Sequence, residues 1–330
     1  MNGGVGVLTS GGDAPGMNAA VRAVVRAVVR QGRRAVGFHR GYSGLMDGEA
    51  QELGPREVAN VIQRGGSILD TSRDRRFLTP EGRRLAMDAL AAEGCDALVV
   101  IGGEGTQHGA ALFHEEWNGT VVGVPSTIDN DLGGTDTSIG FDTACNTALE
   151  AIDRIRDTAN ALDRLFFVEV MGRNRGFIAL DVAIGGGAEA VLVPEVPLEV
   201  PLLVDLIRGN YDRGKISCIV VVAEGAHPGG ARGLVQEMED PLGAQGVSQA
   251  GGGARVTILG HIQRGGNPTV RDRVLASRLG WAAALAAMDG RGGMLFGIRG
   301  GDVRSTPIAD AIAEPKEIDH ALLDLVNVLA

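Results

Sequence analysis

Residues 5–18 read VGVLTSGGDAPGMN, and this stretch decides the fold. Its first five residues form a short apolar run that is typical of a buried β-strand, and a helical pattern follows the glycine-rich turn. Comparable apolar runs recur at residues 97–101, 121–125, 165–170, 190–193, 218–223 and 256–259, with helical stretches between them. Apolar strands that alternate with helices are typical of parallel sheets covered on both faces. The sequence therefore predicts an α/β protein with mainly parallel sheets.

The length of 330 residues predicts two domains, because one core usually serves about 150 residues. We expect the chain to cross between them near Phe141 and again near Arg255. A change of composition over residues 229–253 predicts a flexible insertion. The 31 basic and 41 acidic residues give a net charge of −10, which argues against nucleic acid and anionic membranes as partners. The three cysteines are widely spaced, and no apolar stretch reaches the roughly 18 residues of a membrane span. A cytoplasmic protein with reduced thiols is the prediction.

Lysine is rare in this chain. Only Lys215 and Lys316 occur among the 31 basic residues, so 31 − 2 = 29 are arginines. A Walker A loop needs a lysine directly after its last glycine, and neither lysine lies in such a motif, which excludes a P-loop NTPase. Any anion bound by side chains is therefore expected to be held mostly by arginine. Genomic base composition is the alternative reason for the surface arginines.

Two glycine-rich clusters follow predicted strands, where parallel sheets bind ligands. Gly11-Gly12 between a strand and a helix suits a phosphate group, and a tight turn without a ligand is the alternative. The segment GGEGT (102–106) combines a carboxylate and a hydroxyl with three glycines, which suits magnesium and a polyphosphate. The alternative there is an N-cap threonine beside a solvated glutamate.

Carboxylates and arginines follow the later strands. In TIDND (127–131), Asp129 and Asp131 would face one site if the segment is extended, so that one accepts a proton from a substrate hydroxyl and the other positions a metal or an arginine. A turn rich in Asx hydrogen bonds is the alternative. The segments MGR (171–173) and HIQRGG (261–266), together with Glu224, indicate a sugar-phosphate pocket. His261 is interpreted as a neutral hydrogen-bonding residue, because no other histidine stands at ligand spacing from it.

These motifs together resemble one family. LTSGGDAPGMN (8–18), GGEGT (102–106), PSTIDND (125–131), GFDTA (140–144), EVMGR (169–173) and LGHIQRGG (259–266) are similar, in order, to the motifs of the 6-phosphofructokinases. Members phosphorylate the 1-hydroxyl of fructose 6-phosphate, using ATP or pyrophosphate with Mg²⁺. The resemblance implies two Rossmann-like three-layer αβα domains with mainly parallel sheets and the active site in the cleft between them. It assigns residues 1–140 plus 255–303 to nucleotide binding, and 141–254 plus 304–330 to fructose 6-phosphate binding.

The resemblance also implies a role for each matching residue. Asp129 would be the base for the 1-hydroxyl with Thr127 beside it, and Glu104 and Asp131 would serve Mg²⁺. The nucleotide would be held by Gly12, Tyr42 (near the base), Arg73, Gly102, Gly103, Glu104, Gly105 and Thr106. The sugar and the transferring group would be held by Met171, Gly172, Arg173 and Glu224. Arg164 and Arg255 would reach across from a neighbouring subunit to the 6-phosphate, joined by His261 and Arg264.

The motifs depart from the family pattern in ways that bear on the phosphoryl donor. Glu104 stands where many members have aspartate, and Ser126 stands where ATP users often have glycine and pyrophosphate users have lysine. Gly105 stands where pyrophosphate users carry an aspartate that would collide with the α-phosphate of ATP. These positions favour ATP.

Three alternatives to an ATP-dependent enzyme stay open. The first is a pyrophosphate-dependent phosphofructokinase. The second is a relative of the NAD kinases or lipid kinases, whose resemblance would stop at the glycine-rich loop. The third is a non-catalytic sugar-phosphate-binding regulatory subunit, in which Asp129 or Arg173 should be replaced.

A second anion site is implied on the first helix and beyond. Arg22 and Arg26 lie four residues apart on one helix face, for which a solvated surface is the alternative. The resemblance matches an interfacial site for ADP or phosphoenolpyruvate to Arg22, Arg26, Arg156, Gly187, Glu189, Arg213 and Lys215. Pro55 departs from it, standing where some regulated members have arginine. A homo-oligomer, expected to be a tetramer, follows from the resemblance.

Overall fold

The computed structural model of the chain describes residues 3–162, 164–197, 199–244 and 253–330. The chain divides into two compact units. The first unit comprises Met1–Thr143 and Arg264–Lys316, and the second comprises Ala144–Gln263 and Glu317–Ala330.

The elements alternate as the sequence predicts. The strands are β1 (Gly4–Ser10), β2 (Ala35–Phe38), β3 (Ala50–Glu52), β4 (Cys95–Gly102), β5 (Thr120–Pro125), β6 (Leu165–Val170), β7 (Ala190–Leu192), β8 (Cys218–Ala223), β9 (Arg255–Ile258), β10 (Met294–Arg299) and β11 (Asp302–Pro307). The helices are α1 (Met17–Arg30), α2 (Gly41–Asp47), α3 (Pro80–Ala92), α4 (Glu104–Glu116), α5 (Phe141–Leu162), α6 (Phe177–Gly185), α7 (Val200–Asp212), α8 (Gly230–Ala244), α9 (Val270–Met288), α10 (Ile308–Ala313) and α11 (His320–Leu329). Short 3₁₀ turns lie at Arg75–Leu78 and Gly260–Arg264.

The first unit is built on a seven-stranded sheet of order β11-β10-β5-β4-β1-β2-β3. Its five central strands run parallel, and β3 and β11 join antiparallel at the two edges. All seven residues of β1 are buried. On α1 the buried valines 21, 24, 25 and 28 form the apolar stripe of an amphipathic helix. Each valine removed from water contributes roughly 1.5–3 kcal/mol to the stability of this layer.

The second unit is built on a four-stranded parallel sheet of order β7-β8-β6-β9. Strand β8 is buried along its whole length, as expected for a central parallel strand. The mainly parallel α/β architecture predicted from the sequence is confirmed.

The unit boundaries differ from the predicted domain boundaries at three places, of which the smallest is residues 141–143, expected with the sugar domain and found in the first unit. Residues 255–263 were expected with the nucleotide-binding domain, but β9 pairs with β6, with Arg255 opposite Phe166, and so belongs to the second unit. Residues 304–316 were expected with the sugar domain, but β11 pairs with β10 and belongs to the first unit. Strand pairing decides the two larger differences, because the apolar run that predicts a strand does not show which strand it pairs with.

The predicted flexible insertion over residues 229–253 is wrong in its first part. Residues 230–244 form α8, and the Glu169 carboxylate accepts the Ala231 N–H at the helix start. Residues 245–252 lie outside the described part of the chain. Strands β2, β3, β10 and β11 were not predicted. Among the helices that the structure describes, none has both the length and the apolar character needed to cross a membrane.

Candidate functional site

The turn between β1 and α1 lies against two other loops of the first unit. The Gly11 N–H donates to the Ser72 carbonyl oxygen at 3.1 Å, which holds the loop of the exposed Arg73 beside this turn. A Cβ placed on Gly12 would lie 2.9 Å from Nη1 of Arg264. The Nε atom of Arg264 is buried and has no hydrogen-bond partner among the described residues. An arginine fork therefore lies directly on the backbone of Gly12, an arrangement suited to a phosphate group.

The GGEGT segment forms the start of α4. Gly103 is the N-cap in an extended conformation, without a side-chain cap, and the exposed Glu104 begins the helix. Thr106 is buried inside the first turn, so the alternative of an N-cap threonine is wrong. A Cβ on Gly103 would lie 3.2 Å from Cβ of Thr127, whereas one on Gly105 would meet no atom within 4 Å. The helix start is thus open to solvent and borders the segment that carries Asp129.

Tyr42 is placed differently from the prediction. Its hydroxyl donates to the carbonyl oxygen of Thr106 at 2.8 Å, and its ring stacks on Phe77 with centroids 3.7 Å apart. Gly109 lies at the edge of this stacked pair, because a Cβ there would lie 2.8 Å from the Tyr42 ring and 3.2 Å from the Phe77 ring. Burial raises the pKa of Tyr42 well above its usual value. Only 6% of Tyr42 is exposed, so in this structure the side chain packs in the core and supports α4 through its bond to Thr106.

The TIDND segment is bent rather than extended. Asn130 has a left-handed backbone (φ 53°), and its Oδ1 accepts the Ser138 N–H at 3.0 Å. The Asp129 N–H donates to Oγ1 of Thr127 at 3.1 Å, and the Ser138 hydroxyl donates to the Thr127 carbonyl at 2.7 Å. The argument that Asp129 and Asp131 face one site by strand alternation is therefore wrong. Asx-type hydrogen bonds fix this segment, and both aspartates stay partly exposed.

In the second unit, Arg173 and Glu224 come together at the carboxyl ends of β6 and β8. Arg173 has a left-handed backbone (φ 57°), and its N–H donates to Oε1 of Glu224 at 2.7 Å. A non-glycine residue held in this region is uncommon and costs of order 1–3 kcal/mol, so neighbouring contacts must fix it. The buried Met171 is held nearby, since its N–H donates to Oε1 of Gln263 at 3.4 Å. The exposed Arg173 side chain and Glu224 line an open cavity of about 470 Å³.

Arg164 and Arg255 lie at the opposite end of the same sheet. Arg164 directly precedes β6 and Arg255 begins β9, which pairs in parallel with β6. Arg255 is exposed, and the Nε atom of Arg164 is buried without a hydrogen-bond partner among the described residues. Strand β6 is 6 residues long, so its length of roughly 19–20 Å separates the backbone of these arginines from the Arg173 cavity. The exposed His261 follows β9 at the carboxyl end.

Five of the seven predicted effector residues lie in the second unit, where Arg156, Gly187 and Lys215 gather around the buried carboxylate of Glu189. Oε1 of Glu189 lies 3.6 Å from Arg156 and 3.4 Å from Lys215, and its Oε2 accepts the Ile219 N–H at 2.7 Å. Arg156 also donates to the carbonyl oxygen of Gly187 at 2.6 Å. Arg213, two residues before Lys215, is exposed, and its guanidinium donates a hydrogen bond to the side-chain oxygen of Asn210.

The other two predicted effector residues lie on α1 in the first unit. Arg22 is half-buried and Arg26 is exposed. Burial and the neighbouring charge of Arg26 lower the pKa of Arg22. Two like charges on one face favour a bound anion.

Two residues that support these segments were missed in the sequence. The buried Gln107 amide donates to the carbonyl oxygens of Gly102 (3.1 Å) and Val124 (3.2 Å), joining the ends of β4 and β5. The buried Asp272 accepts N–H bonds from Gly140 and Thr143, both at 2.9 Å, and burial raises its pKa. The spacing of Thr269 and Asp272 resembles a capping box and could have indicated a helix start, but not the partners of the carboxylate.

The sequence and the fold of this chain are similar to those of known phosphofructokinases. The family model of phosphofructokinase matches residues 4–287. The chain is 56% identical over 326 residues to ATP-dependent 6-phosphofructokinase 1 of Thermus thermophilus, covering 99% of both chains. It is 50% identical over 325 residues to ATP-dependent 6-phosphofructokinase 2 of Bacteroides thetaiotaomicron, covering 98% of this chain and 97% of that protein. The solved structure of phosphofructokinase from Saccharomyces cerevisiae is similar with a TM-score of 0.86 at 34% identity, covering 94% of this chain. This chain spans only 45% of that yeast chain. On these grounds the chain belongs to the phosphofructokinase family.

Proposed function

We propose that this protein is an ATP-dependent 6-phosphofructokinase, a glycolytic phosphotransferase that moves the γ-phosphoryl group of ATP to the 1-hydroxyl of D-fructose 6-phosphate. One observation carries the proposal. The Gly11-Gly12 turn lies against Thr106 at the open start of α4, and Gly103 there lies against Thr127 of the Asp129 segment, all in the first unit and with Arg264 on Gly12. Backbone amides, an arginine fork and a carboxylate in one place are the parts that phosphoryl transfer needs. The names of the relatives support the same reaction.

Asp129 is the residue proposed to accept the proton of the 1-hydroxyl. Its segment is fixed by Thr127, Asn130 and Ser138, so the carboxylate is held in place before the substrate binds. Arg173, in its fixed left-handed conformation, would stabilise charge on the transferring group, and Gly12 would hold it through its N–H. Thr127, Met171, Gly172 and Glu224 are proposed to orient the sugar.

Glu104 and Asp131 are proposed to hold Mg²⁺. Among the described residues no group of three or more His, Cys, Asp or Glu side chains could hold a metal ion. Mg²⁺ is usually bound by one or two carboxylates plus substrate phosphates, so these two residues would be enough to hold it. When bound, the ion neutralises charge on the phosphates. The exposed Glu104 at the start of α4 is suited to that position.

Space at Gly105 supports ATP as the donor. The glycine is exposed and a Cβ there would meet nothing within 4 Å, so room is left for the rest of a nucleotide triphosphate. Ser126 is fully buried, with its N–H bonded to the Gly102 carbonyl at 3.0 Å. Its hydroxyl carries no positive charge and so does not replace the lysine that pyrophosphate users have at this position.

The 6-phosphate is proposed to be bound by arginines of a neighbouring subunit. Arg164 and Arg255 lie too far from Arg173 along β6 to reach a sugar in the same cavity, whereas His261 lies at the cavity's end of the sheet. This favours a homo-oligomer, proposed as a tetramer, whose sites are shared between subunits. The first unit is proposed to bind the nucleotide, including through Arg73, and the second to bind the sugar. A cytoplasmic location is proposed with this activity.

An effector site for ADP or phosphoenolpyruvate is proposed at a subunit interface, with the Glu189 cluster of one subunit and with Arg22 and Arg26 contributed by a neighbouring subunit. Support comes from the grouping of Arg156, Glu189 and Lys215. The expected behaviour is sigmoidal dependence on fructose 6-phosphate that either ligand shifts, and that the pair R22A/R213A abolishes.

A coupled assay for fructose 1,6-bisphosphate tests the reaction, with ATP and pyrophosphate as separate donors. The expected result is turnover with ATP and little with pyrophosphate. The control is D129N, which should lose about 10²–10⁴-fold in kcat with little change in sugar affinity, because a general base acts in the transition state. Turnover with pyrophosphate but not with ATP would show that pyrophosphate is the phosphoryl donor. Turnover with neither donor would refute the proposed function.

A further inference from the structure

Arg232 faces the same cavity as Arg173 and has no role in the reaction described so far. The cavity of about 470 Å³ at the carboxyl ends of β6, β8 and β9 is lined by Glu169, Arg173, Glu224, Arg232 and Ile258, among others. Its volume is in the range of small-molecule sites. Arg232 is exposed, in the first turn of α8.

The two arginines of this cavity keep free N–H donors, whereas its two carboxylates each already accept a hydrogen bond. Neither Arg173 nor Arg232 forms an ion pair with another of the described residues. Each of the two carboxylates already accepts a backbone N–H at 2.7 Å, Glu224 from Arg173 and Glu169 from Ala231. Two guanidinium groups therefore remain available to an anion in the cavity.

The position of Arg232 in its helix points the same way. The positive end of the helix dipole lies at the N-terminus, where a cation is unfavourable, and no acidic residue occupies the first turn of α8. Arg232 therefore lowers the stability of the protein without a ligand. A bound anion would remove this disadvantage.

Glu169 determines where Arg232 lies. Its Oε2 accepts the Ala231 N–H, and a Cβ on Gly230 would lie 2.4 Å from that oxygen, so the helix start is pressed against the carboxylate. The main chain of Glu169 is fixed in turn, because its carbonyl oxygen accepts the Leu259 N–H at 3.0 Å. Strands β6 and β9 thus set the first turn of α8 at the cavity's edge.

We infer that Arg232 is a further binding residue for the phosphate group of the sugar phosphate, and that Glu169 is its positioning residue. The identity of the sugar phosphate, fructose 6-phosphate, rests on the proposed function. The site within one chain then has a cation of its own for the phosphate, besides those expected from a neighbouring subunit. Bidentate guanidinium–phosphate pairing is the chemistry involved.

Isothermal titration with fructose 6-phosphate, without nucleotide, tests the role of Arg232. R232A is expected to weaken binding about 5- to 30-fold, as for loss of a charge-assisted hydrogen bond. Its melting temperature should stay unchanged or rise by about 1–3 °C, since a cation leaves the positive end of a helix. The matched control is R208A, because Arg208 is also exposed on a helix of the second unit but pairs with Asp212. Binding by R232A within about twofold of the wild type, or equal weakening in R208A, would overturn the proposal.

A double-mutant cycle tests the role of Glu169. E169A should weaken binding in the wild-type background and cause no further loss in R232A, since it acts through that arginine. E169Q keeps an oxygen that accepts the Ala231 N–H and should bind nearly as the wild type does. Additive losses would remove the positioning role. If the wild type phosphorylates fructose 6-phosphate but R232A binds it normally, this inference alone fails. If R232A binds it weakly but the wild type does not phosphorylate it, the proposed function alone fails.

Discussion

Replacing Arg164 tests whether each active site is shared between two subunits. Strand β6 places Arg164 at its amino end and the Arg173 cavity beyond its carboxyl end, 6 residues away. At 3.2–3.4 Å per residue this gives roughly 19–20 Å, several times the reach of one hydrogen bond. A sugar phosphate bound at Arg173 is therefore expected to be out of reach of Arg164 of its own chain.

The expected effect of R164A is a higher KM for fructose 6-phosphate with ATP affinity unchanged. Loss of charge-assisted hydrogen bonds to a phosphate corresponds to about 1.5–3 kcal/mol, which is roughly 10- to 150-fold in KM. The same size of effect is expected for R255A, since Arg255 begins the neighbouring strand. D129N should instead lower kcat.

Subunit exchange between R164A and D129N gives the decisive measurement. In a symmetric pair that shares both sites, a hybrid contains one site with both Asp129 and Arg164 intact. Random mixing makes half of the pairs hybrids, so about a quarter of wild-type activity should return. The assay is turnover after dissociation and reassembly, with each variant reassembled alone as control. No recovery, while hybrids are shown to form by mass spectrometry, would refute a shared site.

Three further predictions concern single positions. G105D should raise the KM for ATP at least about tenfold through charge repulsion, because the added side chain meets no protein atom and disturbs nothing else; unchanged ATP kinetics would refute the account of donor choice. Y42F should lower the free energy of unfolding by about 1 kcal/mol through loss of the bond to Thr106, with the KM for ATP unaltered; a severalfold rise in that KM would return Tyr42 to the nucleotide site. Burial raises the pKa of Cys95 and Cys218 to about 12, so at pH 8 only about one thiol in 10⁴ is ionised. Alkylation of the native protein, followed by mass spectrometry, should therefore leave both cysteines unmodified. Rapid modification of either would contradict their burial.

Much of the site was predictable because its residues stand next to glycines at strand ends. An apolar run followed by a glycine-rich turn and a helix places the turn at the carboxyl edge of a sheet, whatever the rest of the chain does. Gly12, the 102–106 segment and the 127–131 segment were all found in this way, and the structure brings them together. Arg173 was found in the same way, from its place beside Gly172 at a strand end, although its left-handed backbone was not predictable from an arginine in that position.

The sequence by itself determined the α/β class, the positions of seven strands and the segments that carry the chemistry, because hydrophobic periodicity and turn residues are local properties. Only the tertiary structure decided that Tyr42 lies in the core, that the 127–131 segment bends, and that α8 presents Arg232 to the cavity. It also decided that β9 joins β6 and β11 joins β10. Each of these depends on a hydrogen bond or a packing contact between residues far apart in the chain. Such contacts are selected by the whole fold, and no local pattern records the partner.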